Sequence, residues 1–153
     1  MKSINLFSYF SLMLIMAGCP ERNSYEFYTK NNSNFDIVLY VIYGGRNIYP
    51  DTMFIFKPTG IIKSNVPISI SQPLEDIIKK TPQDKLSFFF FHADTLEKYP
   101  LEVLQRDYKV LQRYDLSSQD VVTLKNKYGI PEIPYPPDER MKNMKMYPPY
   151  GSE

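Results

Sequence analysis

Residues 86–91 have the sequence LSFFFF, which is apolar at almost every position and contains four consecutive phenylalanines. Successive side chains of a β-strand point to opposite faces of the sheet, so a strand here presents large apolar rings on both faces. If either face were exposed to water, the segment would promote aggregation. The run therefore predicts a central strand that is covered on both sides.

The chain before this run predicts short strands separated by turns. Residues 25–29 alternate aromatic and polar side chains, and residues 35–43 place every second, apolar side chain on one face. With NNSN at residues 31–34 and Gly44-Gly45 after the second strand, they predict a hairpin. The further candidates are a turn at residues 49–52 and strands at residues 53–56, 61–62 and 66–70.

Helices are predicted on both sides of the phenylalanine run. Pro73 suits a first helical position, and an apolar stripe follows it until Thr81-Pro82. After the run, Asp94 with Glu97 three residues later resembles a capping box, and Pro100 is expected to interrupt or restart that helix. Residues 109–116 then suit a strand. Residues 117–127 suit a helix, with Ser117 as its cap and Gly129 beyond its end.

The overall pattern predicts an α+β fold, a mostly antiparallel sheet or small sandwich with two or three short helices. The order strand, helix, strand around residues 86–116 also allows one right-handed crossover between parallel neighbours. The globular domain is expected to span residues 25–130. Six prolines after residue 130 predict an extended, polyproline-like tail over residues 131–153, lying over the domain through its tyrosines.

The amino terminus has the pattern of an export signal. Lys2 is followed by a mostly apolar stretch at residues 6–16, which is shorter than the roughly 20 residues that span a bilayer as a helix. Met16-Ala17-Gly18-Cys19 then resembles the lipobox of bacterial lipoprotein precursors, with Met16 where that family prefers leucine. The resemblance implies cleavage before Cys19, attachment of lipid to its sulfur and a membrane anchor of several acyl chains. Residues 1–18 would be the signal peptide and residues 19–24 the lipidated tether; the alternative is an uncleaved hydrophobic anchor.

Charge and composition exclude some functions. The chain has 18 basic and 17 acidic side chains, and removal of the signal peptide with Lys2 leaves 17 of each. Such a balance argues against nucleic acid as a partner, because phosphates require a basic surface. The single cysteine cannot form a disulfide within the chain, and one histidine gives no histidine-based zinc site. We therefore expect no metal and no cofactor.

Catalytic constellations are weak. His92 and Asp94 lie two residues apart at the predicted end of a strand, and together they could belong to a catalytic system in which Asp94 orients His92. An ion pair or a solvated strand edge is the simpler interpretation. The acidic neighbours Glu75-Asp76 and Asp138-Glu139 suit a solvated surface better than an acid–base pair. We therefore expect no enzymatic activity.

Several segments resemble small lipoproteins of the Bacteroidota envelope. They are residues 49–52, 85–97, 106–111 and 113–117 and the two Tyr-Pro-Pro tripeptides at Tyr135 and Tyr147. The resemblance implies an envelope location and no particular activity. Asp51-Thr52-Met53 and Asp94-Thr95-Leu96 also resemble the pattern that such bacteria O-glycosylate, so Thr52 and Thr95 are candidate acceptors; the alternative is that they are ordinary turn and cap residues.

Tyrosine is the remaining candidate for binding. Tyr40 and Tyr43, with the tyrosines of the tail, would form a surface for a carbohydrate or a protein if they were exposed together, or part of the core if they were buried. We expect a lipid-anchored envelope protein of the outer membrane that binds or scaffolds an envelope protein or glycan. The alternatives are an inhibitor or immunity lipoprotein against a toxin and an enzyme acting on cell-wall glycan.

Overall fold

The computed structural model describes residues 26–43, 59–72, 74–81 and 84–152. These residues confirm the predicted α+β sandwich, with four short α-helices where two or three were expected. The strands are β1 (Glu26–Asn31), β2 (Ile37–Tyr43), β3 (Ile61–Ile62), β4 (Pro67–Ser71), β5 (Lys85–His92), β6 (Gln112–Ser117), β7 (Glu132–Tyr135) and β8 (Met146–Tyr147). The helices are α1 (Leu74–Lys80), α2 (Ala93–Lys98), α3 (Leu101–Arg106), α4 (Ser118–Thr123) and a 3-10 turn at Glu139–Met141.

Two sheets make up the sandwich. The smaller sheet has the strand order β4-β1-β7, and the larger has the order β3-β2-β5-β6-β8. Strands β1 and β7 are parallel, and all the other neighbouring pairs are antiparallel. The run of phenylalanines forms β5, the middle strand of the larger sheet, as its apolar character predicted.

Strand β5 is covered on both faces, which confirms the second half of that prediction. Phe88 and Phe90 point into the main core between the sheets, where both are fully buried. Phe89 and Phe91 point to the other face and pack with Leu104 of α3 in a smaller cluster. We call these the inner and outer faces of the larger sheet.

The predicted hairpin between the first two strands is wrong. Strands β1 and β2 belong to different sheets, and Asn31 at the end of β1 shows how the chain changes sheet. The buried Asn31 amide donates to the carbonyls of Phe35 and Ile62, at 2.7 and 3.0 Å, and its oxygen accepts from Ser33. These bonds hold the turn against the larger sheet, so the chain crosses the sandwich instead of folding back beside β1.

The predicted crossover between parallel strands is also wrong, because β5 and β6 are antiparallel neighbours. The helix between them is divided at Pro100, which separates α2 from α3 as expected. Each piece has six residues, or roughly 9 Å of helix, too short to return the chain to the start of β5. The chain therefore enters β6 at the end of the sheet where it left β5.

The structure also changes the expected helix ends. The cap of α2 is His92, not Asp94: its Nδ1 accepts a hydrogen bond from the Asp94 backbone N–H at 3.2 Å. Ser117 caps α4 as predicted, in a capping box with Asp120, but this helix ends at Thr123 and does not reach residue 127.

The tail beyond residue 130 is part of both sheets rather than a layer over the domain, so the predicted domain boundary at residue 130 is wrong. Strand β7 completes the smaller sheet and β8 extends the larger. The Tyr114 hydroxyl of β6 donates to the Pro134 carbonyl at 2.9 Å and so joins the two sheets through the core. The Tyr135–Pro136 and Tyr147–Pro148 peptides are cis.

Other predictions fall outside the described residues. They concern the signal peptide and tether at residues 1–24, the glycines at 44–45, the turn at 49–52, the strand at 53–56 and Pro73. Strands β3 and β4 confirm the strands predicted at residues 61–62 and 66–70. Helix α1 confirms the helix predicted before Thr81-Pro82. Within the described part of the chain, no helix has the length and apolar character needed to cross a membrane.

Candidate functional site

The strand directions give the domain two opposite ends. Strand β1 starts at Glu26 and finishes at Asn31, whose amide contacts the chain entering β2. Strand β2 is antiparallel to β5, so β5 finishes where β2 begins, with His92 opposite Ile37. We name the two ends after Glu26 and His92.

A shallow, open pocket of about 320 Å³ lies at the His92 end. Strand β5 supplies His92, helix α2 supplies Thr95, and Tyr99 follows as the C-cap of that helix. The chain before β6 completes the wall. The lining residues are His92, Thr95, Tyr99, Lys109, Val110 and Leu111. An imidazole, a hydroxyl, a phenol and an ammonium group therefore line the pocket together with two apolar side chains.

His92 has a fixed orientation in this pocket. Its ring stacks on Phe35 with the centroids 4.7 Å apart, and its Nδ1 accepts the Asp94 N–H. The Asp94 carboxylate lies 3.9 Å from the same nitrogen and is largely exposed. The structure thus brings together the two residues that the sequence singled out, but they serve the start of α2. A nitrogen that accepts a backbone hydrogen bond is engaged and is a poor general base.

Positive charge gathers around Tyr99. The Lys109 ammonium lies 4.8 Å from the centre of the Tyr99 ring, and that of Lys98 lies 5.4 Å away. Both distances suit cation–π contacts. Neither Tyr99 nor Lys109 was predicted, because ten residues separate them and only the return of the chain after α3 places them together.

The outer face of the larger sheet holds a second polar cluster. Arg113 donates to both oxygens of Asp115, at 2.7 and 2.9 Å, and both residues are buried. Ser87 donates to Asp115 at 2.7 Å, and the Lys145 ammonium lies 3.7 Å from the same carboxylate. The Arg113 guanidinium also lies 5.3 Å from the centre of the Phe89 ring.

Tyr108 borders this cluster. Burial raises the pKa of the Tyr108 phenol, and the adjacent Arg113 charge opposes that increase. Because Arg113, Asp115 and Ser87 already bind one another, the cluster leaves little for a ligand. Sequence analysis missed the pair, although its spacing of two residues in a strand places both side chains on one face.

The candidate modification sites are only partly described. Cys19 and Thr52 lie outside the described residues. Thr95 lies in α2, half-buried, on the wall of the pocket. Glycosylation of either threonine stays a prediction.

The carboxylate neighbours have structural partners. Glu75 forms an ion pair with Lys125, which joins α1 to the chain after α4. Asp138 caps the 3-10 turn by accepting from the Arg140 N–H, and it also binds the Arg140 guanidinium. These contacts agree with surface and capping roles.

The tyrosines do not all belong to one exposed surface, because Tyr135 is buried, so a tyrosine surface for a partner stays a prediction only for the others. Tyr40 packs against Phe91 on the outer face. Tyr135 is buried in the inner core and stacks on Phe90. Tyr147 lies on β8 beside Tyr108. The strand register places Tyr40 and Tyr147 in one cross-strand row on the outer face of the larger sheet, whereas Tyr135 points into the core.

Among the residues that the structure describes, no group of three or more His, Cys, Asp or Glu side chains is placed to hold a metal ion. Comparisons of the chain with protein-family models, curated proteins and solved structures found no match. The pocket at the His92 end is therefore assessed from its own residues.

Proposed function

We propose that this protein is a lipoprotein of the bacterial cell envelope, anchored through lipid on Cys19, that binds a partner without chemically changing it. The observation that supports the binding role most directly is the position of the pocket. It lies at the His92 end of β5, whereas the chain from Cys19 enters the domain at Glu26. An anchored domain of this kind would direct its pocket away from the bilayer.

Chain length bounds the distance between the anchor and the domain. Six residues separate Cys19 from Glu26, so the connection between them spans at most roughly 25 Å. Strand β5 has eight residues, which corresponds to roughly 26 Å along the sheet. The Glu26 end therefore lies within roughly 25 Å of the anchor, and the pocket lies about one strand length from the Glu26 end. We place the anchor in the outer membrane, as the envelope resemblance implies.

The pocket suits an acidic glycan as the partner. The Thr95 hydroxyl and Tyr99 phenol can hydrogen-bond to sugar hydroxyls, and Val110 and Leu111 provide apolar contact for a pyranose face. The Lys109 ammonium would complement a carboxylate on the sugar, and Lys98 lies near the same ring.

Metabolic labelling with palmitate tests the anchor. We expect label on the wild-type protein and none on Cys19→Ser, because the sulfur atom accepts the diacylglycerol. The labelled protein should fractionate with the outer membrane. Equal labelling of the two proteins would contradict lipidation at Cys19.

Binding of the purified full-length protein to an array of uronic-acid and neutral glycans tests the pocket. We expect signal on acidic glycans, at least a tenfold loss with Lys109→Ala, and wild-type signal with Tyr147→Ala, which alters an exposed tyrosine outside the pocket. Absence of binding, or binding that Lys109→Ala leaves unchanged, would contradict the assignment of ligand class.

A further inference from the structure

A tight turn between α4 and β7 displays an exposed tyrosine. The Asn126 side-chain oxygen accepts from the backbone N–H groups of Tyr128 and Ile130, at 2.8 and 3.1 Å. Asn126 N–H donates to the Ile130 carbonyl, and Gly129 supplies the left-handed backbone conformation, with φ of 77°. The turn is thus held by its own hydrogen bonds, yet 74% of Tyr128 is exposed.

The topology places this turn at the Glu26 end. Strands β1 and β7 are parallel, so the segments that precede them leave the smaller sheet on the same side. The Tyr28 N–H donates to the Pro131 carbonyl at 2.9 Å, which brings the start of β1 beside the end of the turn. The chain arriving from Cys19 and the ring of Tyr128 therefore emerge from one end of the domain.

The surroundings of Tyr128 suit the surface of a bilayer. The Lys127 ammonium lies 4.9 Å from the centre of the Tyr128 ring, and Val122 in α4 is 46% exposed. Two nearby carboxylates have cationic partners, since Glu75 binds Lys125 and Glu132 lies 4.0 Å from the Arg140 guanidinium. Tyrosine is enriched at membrane–water interfaces, where its ring lies at the level of the headgroups and its hydroxyl stays hydrated.

We propose that the Tyr128 turn, residues 126–129, contacts the headgroup region of the membrane that holds the lipid on Cys19. This inference rests on the proposed anchor. A single tyrosine and a lysine bind a bilayer weakly by themselves. The covalent tether changes this, because it makes the contact intramolecular and gives it an effective concentration in the millimolar range. The contact would fix the orientation in which the pocket faces away from the membrane.

Tryptophan fluorescence tests this contact, because the chain contains no tryptophan. Full-length Tyr128→Trp would be reconstituted into vesicles of phosphatidylethanolamine and phosphatidylglycerol, with and without brominated acyl chains. We expect a blue-shifted emission and at least twofold quenching by the brominated lipid. Tyr147→Trp is the matched control, since Tyr147 is also exposed. In the strand register it lies opposite Arg113, near the start of β6 and therefore towards the His92 end of the domain. Its emission should stay red-shifted and unquenched.

Flotation of the same vesicles separates failure of this contact from failure of the anchor. If the protein floats with the vesicles and Trp emission at position 128 is quenched no more than at position 147, the contact is refuted and the anchor stands. If the protein remains in the soluble fraction, as Cys19→Ser should, the anchor and the contact are both refuted. Co-flotation with selective quenching at position 128 supports both.

Discussion

The two faces of the larger sheet are built differently, although the same four phenylalanines contribute to both. On the inner face, Phe88 and Phe90 are fully buried and lie beside Tyr114 and Leu116 of β6, which are also fully buried. On the outer face, Phe89 and Phe91 retain slight exposure. Their neighbours in β6 there include the Arg113–Asp115 ion pair.

Strand β6 therefore determines the character of each face. Its sequence alternates Arg113, Tyr114, Asp115 and Leu116, so charged residues point outward and apolar residues point inward. The inner face depends on apolar burial, which is not directional. The outer face depends on charges that tolerate burial only while they are paired.

Phe90→Ala should cause the largest loss of stability. The ring packs against Tyr114 and Tyr135 with centroids 5.1 and 5.3 Å apart, so its removal leaves a cavity between the sheets. We expect a loss of about 3–5 kcal/mol in the free energy of unfolding, measured by urea denaturation. Phe91→Ala is the matched change on the outer face and should cost less, because its site can collapse or hydrate at the protein surface. An equal or larger loss for Phe91→Ala would contradict the proposed difference between the faces. If Phe90→Ala does not fold, Phe90→Leu and Phe91→Leu provide the same comparison.

Asp115→Ala should destabilise the outer face by about 3 kcal/mol, because it leaves the buried Arg113 guanidinium without its carboxylate. The double variant Arg113→Met/Asp115→Leu removes both charges and should recover most of that loss, as apolar replacements of buried pairs commonly do. Urea denaturation of both variants measures the effect. A double variant as unstable as the single one would show that the outer face requires the ion pair itself.

Tyr114→Phe should cost about 1–3 kcal/mol. The change keeps the ring and removes the hydroxyl that donates to the Pro134 carbonyl, so a buried acceptor loses its partner. Tyr128→Phe removes an exposed hydroxyl and should stay within about 0.5 kcal/mol of the wild type. Equal effects of the two changes would mean that the Tyr114 bond adds nothing to the attachment between the sheets.

Local patterns predicted the elements well but not their partners. The phenylalanine run identified β5 as a covered central strand, and Ser117 identified the start of α4, because apolar periodicity and capping depend on neighbouring residues. The hairpin prediction failed because Asn31 bonds to Ile62, thirty-one residues away. The tail prediction failed because proline content suggested an isolated segment, whereas β7 finds a parallel partner in β1.

The candidate site was less predictable than the fold. His92 and Asp94 drew attention because they are close in sequence, and the structure uses them to begin a helix. Tyr99 and Lys109 meet only after the chain turns back beyond α3. A single sequence does not reveal this contact, because the residues that line a pocket have no fixed spacing along the chain.

The stability of the protein at alkaline pH tests whether the Tyr114 phenol is buried on the inner face, and we expect a smaller effect than from the substitutions above. Burial, and then the neighbouring Tyr135 and Asp138, raise the pKa of Tyr114 well above its ordinary value of 10. Above pH 10 the unfolded chain releases this proton while the folded protein retains it, so stability falls as the pH rises towards the folded pKa. The loss due to Tyr114 is at most about 1.4 kcal/mol per pH unit. Urea midpoints between pH 8 and 11 should therefore fall more steeply for the wild type than for Tyr114→Phe. Phe90→Leu, which is destabilised but keeps every tyrosine, should retain the wild-type slope. If the urea midpoint of Tyr114→Phe falls with pH as steeply as that of the wild type, ionisation of the buried Tyr114 phenol does not cause the loss of stability at alkaline pH.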